Sequence, residues 1–200
     1  MSTFTPLSDQ LEQLLTALQT LVLGLQTTPP IKNAMGGWPD QAYFQEDGNL
    51  PSVFFLLTGT RNITTRKRHA PYVTVDNGDG TMTQYIETSK GAYLMDLHTV
   101  AGTRQEAMDI SAAVRQGVEA VQDVPLPDGI NNSLAIWRGD SVPYKDQSLN
   151  VYHRSVTFEF QLRNLMAATG QKATQVVVGT TVENPASPTP TEVVVNTTVQ

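Results

Sequence analysis

Residues Val151 to Arg163 alternate in character. Tyr152, Arg154, Val156, Phe158 and Phe160 share one parity, while Val151, His153, Ser155, Thr157, Glu159 and Gln161 share the other. A strand points successive side chains to opposite faces. The run therefore predicts a strand with one largely apolar face and one polar face, as in a sheet covered on one side only. The rest of the chain has to supply neighbouring strands and a layer over the apolar face.

Two stretches suit that layer. Ser8 to Gln26 has an N-capping serine, Asp9 and Glu12 in the first turn, and Leu11, Leu14, Leu15, Leu18, Leu21, Val22 and Leu25 at helical spacing. Gly24 and Pro29-Pro30 end it. Its stripe either packs on the chain's own sheet or docks on a neighbouring subunit. A second helix is predicted from Thr103 to about Gln122, with Glu106 completing a capping box. Its apolar face is Ala107, Ile110, Ala113, Val114, Gly117, Val118 and Val121, and the small residues Ala113 and Gly117 would bring it close to a sheet.

Further strands are predicted at Ser52–Thr58, Tyr72–Val75, Thr81–Thr88, Ala92–Val100 and Asn131–Trp137. Asp76-Asn77-Gly78-Asp79-Gly80 between alternating runs is a strong hairpin signal. Its acidic residues faintly resemble a calcium loop, but the later oxygen ligands are missing in register. Thr27 to Pro51 reads as a long loop, with Trp38, Tyr43 and Phe44 pinning it to the core. The predicted class is α+β: a mixed or antiparallel sheet flanked by two main helices, with an extended β-rich C-terminal arm.

The composition changes after Asn164. Residues 1–163 are predicted to form the core and 164–200 the arm. Within the arm Gln175-Val176-Val177-Val178-Gly179-Thr180-Thr181-Val182-Glu183 is repeated as Glu192-Val193-Val194-Val195-Asn196-Thr197-Thr198-Val199-Gln200. Two copies are too few for a solenoid, and a lone two-stranded ribbon is marginal in water. Val176, Val178, Val193 and Val195 are therefore expected to mark strands that pair with a neighbouring subunit. The other reading is a flexible, aggregation-prone tail.

Charge narrows the functional classes. The net charge is −6 and the pI about 4.9, which argues against a general nucleic-acid binder. Cysteine is absent, which excludes thiolate metal sites and a cysteine nucleophile. The first residues lack a signal-type apolar core, so a soluble, unsecreted protein without a membrane partner is expected. His69, His98 and His153 fall in three elements at no metal-binding spacing. No nucleophile motif, carboxylate pair or phosphate loop stands out, so no catalytic residue, metal or cofactor is expected. Against this background, Arg61, Arg66, Lys67 and Arg68 form a dense basic run. It is either a solvated loop or a contact surface whose charge symmetry would multiply.

The order helix, long loop, strand with basic run, hairpin, helix and strand resembles the tail terminator and tail-completion proteins of tailed bacteriophages. The matching stretches are Leu50-Pro51 entering an apolar strand, the helix from Thr103, and Tyr152-His153-Arg154 opening Ser155-Val156-Thr157-Phe158-Glu159-Phe160. They fall within residues 8–163. The resemblance implies a homohexameric ring subunit that joins the tail tube and sheath to the connector, with no reaction and no cofactor. Arg61, Arg66, Lys67 and Arg68 would then face the lumen, touching DNA there non-specifically, or face a partner ring. The repeat arm and the long Thr27–Pro51 loop depart from the short members. They leave open a ring at the baseplate end or a head–tail connector. An enzyme whose groups converge only in space is the alternative of another class.

Overall fold

The computed structural model describes residues 3–4, 7–46, 48–63 and 71–171. Within them run β1 (Thr3–Phe4), α1 (Leu7–Leu23), β2 (Asn33–Gly36), a 3-10 turn (Gln41–Gln45), β3 (Ser52–Ile63), β4 (Val73–Asp76), β5 (Thr81–Ala101), α2 (Arg104–Val121), β6 (Asp123–Pro125), β7 (Asn132–Asp140), β8 (Tyr144–Asp146) and β9 (Val151–Gln171). The nine described strands form one mixed sheet, ordered β2-β3-β5-β9-β7-β6, with β4 on β5 and with β1 and β8 on β9. Among the described strands only β2 and β3 pair in parallel. The architecture is α+β. The repeat arm, including Val176, Val178, Val193 and Val195, lies outside the described residues.

The centre of the sheet is the antiparallel pair β5–β9, each strand 21 residues long, or about 70 Å at the usual rise. Sequence reading splits β5 in two at Ser89-Lys90-Gly91. The chain instead stays paired through this point and absorbs the irregularity as a bulge between Glu87 and Ser89. Likewise β9 continues beyond Arg163 to Gln171, because Thr81 to Glu87 offers it a partner edge.

Both helices cover one face. Val156, Phe158, Phe160 and Leu162 of β9 are fully buried there, with Leu97 and Met95 of β5 and Val53 and Phe55 of β3. Leu14, Leu18 and Val22 of α1 and Ile110, Val114 and Val118 of α2 close over them. Each large apolar side chain buried this way stabilises the fold by roughly 1.5–3 kcal/mol. The leucine stripe of α1 thus packs on the chain's own sheet. Helix α1 begins one residue before Ser8, which therefore lies inside it. In α2 the capping box is present as expected: Glu106 N donates to Thr103 Oγ1 at 3.2 Å, and Thr103 N donates to Glu106 Oε2 at 3.2 Å. Gly117 serves a different contact from the one expected. A Cβ there would fall 2.5 Å from Leu25 Cδ2, so its smallness admits Leu25 rather than the sheet.

The opposite face is open over most of its length. A small second cluster of Phe44, Phe54, Val100 and Val151 sits at one end, where Trp38 packs 5.4 Å from Phe44 and 5.2 Å from Phe54. The aromatic anchoring of the long loop is thereby realised. In the β4–β5 turn, Gly78 and Gly80 take positive φ of 78° and 83°, which glycine adopts without steric cost. Gly78 N donates to Asp76 Oδ1 and Thr81 N to Asp79 Oδ1, so these carboxylates brace the turn.

Candidate functional site

Three β-bulges shape the polar arrangement of the sheet. A bulge adds one residue to a strand and exchanges the faces of everything beyond it. In β3 the extra residue is Thr58, between Leu57 and Gly59. Without it, Arg61 would point under the helices. With it, Arg61 shares a face with Ala92, Leu94 and Glu159. In β5 the bulge at Thr88 brings Glu87 to the same side as Arg163. In β7 the bulge at Arg138 turns Asp140 toward the helix face, where it meets Arg154 at 3.1 Å and Arg115 at 3.4 Å.

The result is a repeated unit, one carboxylate gripped by two cations. Glu159, 5% exposed, accepts from Arg61 Nη2 at 2.7 and 2.9 Å, from Arg138 Nη2 at 2.6 Å and from Gln161 Nε2 at 3.0 Å. Burial alone would raise its pKa. The hydrogen bonds from Arg61, Gln161 and Arg138 outweigh that and hold it at about 2. Farther along the same face, Glu87 (7% exposed) pairs with Arg163 at 3.4 Å and Lys90 at 3.9 Å. Arg163 also lies over the Tyr72 ring, 4.8 Å from its centroid. Both anions are thus buried and ion-paired, while the arginines at Glu159 turn outward: the Arg61 and Arg138 side chains are 61% and 43% exposed. Beside Arg61 is a shallow depression of about 260 Å³, lined by Gly59, Thr60, Ala92, Leu94 and Glu159.

At the other end of the open face, β5–β9 pairing brings together two histidines that sequence spacing leaves apart. His98 Nε2 and His153 Nδ1 are 3.1 Å apart. Tyr144 stacks on His153 with centroids 4.9 Å apart, and Trp38 stacks on it at 5.8 Å. Burial, then the neighbouring His153, push His98 down to about 4, against the opposing pull of Asp96. Burial lowers His153 as well. One of the two facing nitrogens donates and the other accepts; protonation of both rings would set N–H against N–H. Trp38 and Tyr144 remain 46% and 52% exposed, so this end presents aromatic surface.

Of the basic run, the structure places Arg61 and corrects its setting. It belongs to β3, bonded to Glu159, and not to a loop. Arg66, Lys67 and Arg68 lie outside the described residues. Arg138, Lys90 and Arg163 join Arg61 on the open face without having been singled out. The parity that places Glu159 and Gln161 on the polar side of β9 extends to Arg163, whereas nothing in the sequence pattern marks Arg138 of β7 or Lys90 of β5. Among the described residues no group of three or more His, Cys, Asp or Glu side chains converges to hold a metal. None of their helices is long and apolar enough to cross a membrane. No family model and no curated protein matches the chain.

Proposed function

We propose that this chain is a structural virion protein, a homohexameric ring subunit at the terminator or neck end of a phage tail, joining tail tube and sheath to the connector. The observation that carries this reading is the one-sided sheet. Helices cover one face, while the other presents arginines paired with buried carboxylates toward one end and exposed Trp38 and Tyr144 at the other. Arginine and aromatic side chains are the groups enriched where proteins meet. The order of elements that carries the resemblance to tail terminators agrees with it. In this role the protein catalyses nothing and holds no cofactor. The helix-backed sheet is the rigid body of the ring. Arg61, with Arg66, Lys67 and Arg68, faces the lumen and its DNA or the adjoining ring. The repeat arm, through Val176, Val178, Val193 and Val195, pairs with neighbouring subunits.

The test is location. Gold-labelled antibody against the chain should mark one end of the tail on particles made from the genome that encodes it, and mass spectrometry should recover it from them in a small fixed copy number. A chain absent from purified particles overturns the reading.

A further inference from the structure

The charges of this protein are sorted by layer. Helix α1 together with the stretch Arg104–Asp128, which holds α2, β6 and the turn after it, carries seven carboxylates and two arginines. Asp9, Glu12, Asp109, Glu119, Asp123 and Asp128 are all exposed there. One of the two arginines, Arg115, is occupied by Glu119, Asp140 and the Trp137 ring, 4.1 Å away. The opposite side of the sheet has the reverse character. Its Glu159 and Glu87 are buried beneath Arg61, Arg138, Lys90 and Arg163. Water therefore meets mainly carboxylates on the helix side, where Arg104 is also exposed, and mainly the guanidinium groups of Arg61 and Arg138 around Glu159 on the sheet side, where Asp96 is half-buried and accepts from Thr157.

Both sides also carry apolar surface. On the helix side a groove of about 390 Å³ runs between α1 and β6, lined mainly by Ala17, Leu21, Val121, Val124 and Leu126. On the sheet side Trp38 and Tyr144 are half exposed.

Two identical surfaces of one sign repel when they face each other, so neither side suits a two-fold interface in which a patch meets itself. Acidic side against basic side is complementary. Such an interface is heterologous and leaves a free side at each end, so further copies add until the rotation closes a ring. We propose that this chain self-associates head to tail, the acidic helix layer of one copy seated on the arginine-bearing sheet face of the next. The proposal rests on the ring reading and specifies its interface.

Two variants test it. Glu12→Lys with Asp123→Lys reverses charge on the helix side; Arg61→Gln with Lys90→Gln removes it from the sheet side. Light scattering on a sizing column, with circular dichroism to verify folding, should show the wild type above the 21.8 kDa of one chain at low salt, its mass falling as salt is added. Each variant alone should run as a monomer. An equimolar mixture should give a one-to-one dimer and nothing larger, since one intact acidic side then meets one intact basic side. If the sheet-side variant fails to fold, excess helix-side variant added to wild type should shorten the assemblies by capping them. The proposal is overturned by a wild type that is monomeric at low salt, by variants that assemble like wild type, or by a mixture (or capped wild type) that behaves as its separate parts. Assembly indifferent to both variants would sink this interface while leaving the ring reading in place. Absence from the particles would do the opposite.

Discussion

Replacing Glu159 with Gln removes the charge that organises the open face while nearly keeping its shape. The carboxyl sits at about 2 instead of an ordinary 4.5. At about 1.4 kcal/mol per pH unit this corresponds to an upper bound of roughly 3 kcal/mol in favour of the folded, charged form. Arg61 and Arg138 reach halfway into water, and screening at that exposure reduces the contribution to about 2 kcal/mol. The folded-state pKa is depressed, so the stabilisation is complete above about 4.5 and is lost as pH falls through about 2. Urea unfolding of both proteins at one protomer concentration should show Glu159→Gln less stable by about 2 kcal/mol at neutral pH. The gap should narrow steadily below pH 4.5. Equal stabilities at neutral pH, or an undiminished gap below pH 2, would refute this account of Glu159.

Three further outcomes are expected. The His98 ring, followed by NMR, should titrate near 4, and wild-type stability should fall as pH drops from about 6.5 toward 4, because the unfolded chain takes up the proton first; a His98→Phe variant should lack that portion of the pH dependence in urea titrations. Thr103→Ala breaks the capping box of α2 and should cost about 1 kcal/mol, seen as a lower thermal midpoint. Compared where both are monomeric, a chain ending at Asn164 loses buried Leu165 and Ala167 and strips one of two partner strands from Thr81–Glu87, so it should be less stable than a chain ending at Gln171 by about 2 kcal/mol or more.

Features set by neighbours in sequence were legible in it. The Thr103–Glu106 capping box, the Asp76–Gly80 turn and the leucine stripe of α1 each depend on residues a few positions apart. The alternation of β9 correctly predicted which side the helices cover. What escaped depended on register. Counting by twos assumes an unbroken ladder, and the extra residues Thr58, Thr88 and Arg138 each break it. Arg61 therefore reads as the start of a loop, while its partner Glu159 lies 98 residues away. The His98–His153 pair has the same cause, since its members meet only across β5 and β9. Gly117 was legible as a close-approach site, but the element approaching it, the chain after α1, comes from a distant part of the sequence.

The long β5–β9 pair also bears on how the chain reaches its native state. The helix α2 and strands β6, β7 and β8 all lie between its two strands in sequence. At the end nearest α2, His98 and His153 close 55 residues, whereas Thr83 and Thr169 near the other end close 86. Closing a loop costs entropy before any pairing rewards it. The ladder is thus expected to nucleate at the α2 end, where Leu97 and Val156 bring their apolar contacts early, and to zip outward. Substitutions at Leu97 or Val156 should slow folding, and substitutions at Thr83 or Thr169 should instead speed unfolding. The far end of the ribbon is then the last part of the subunit to form and the first to open.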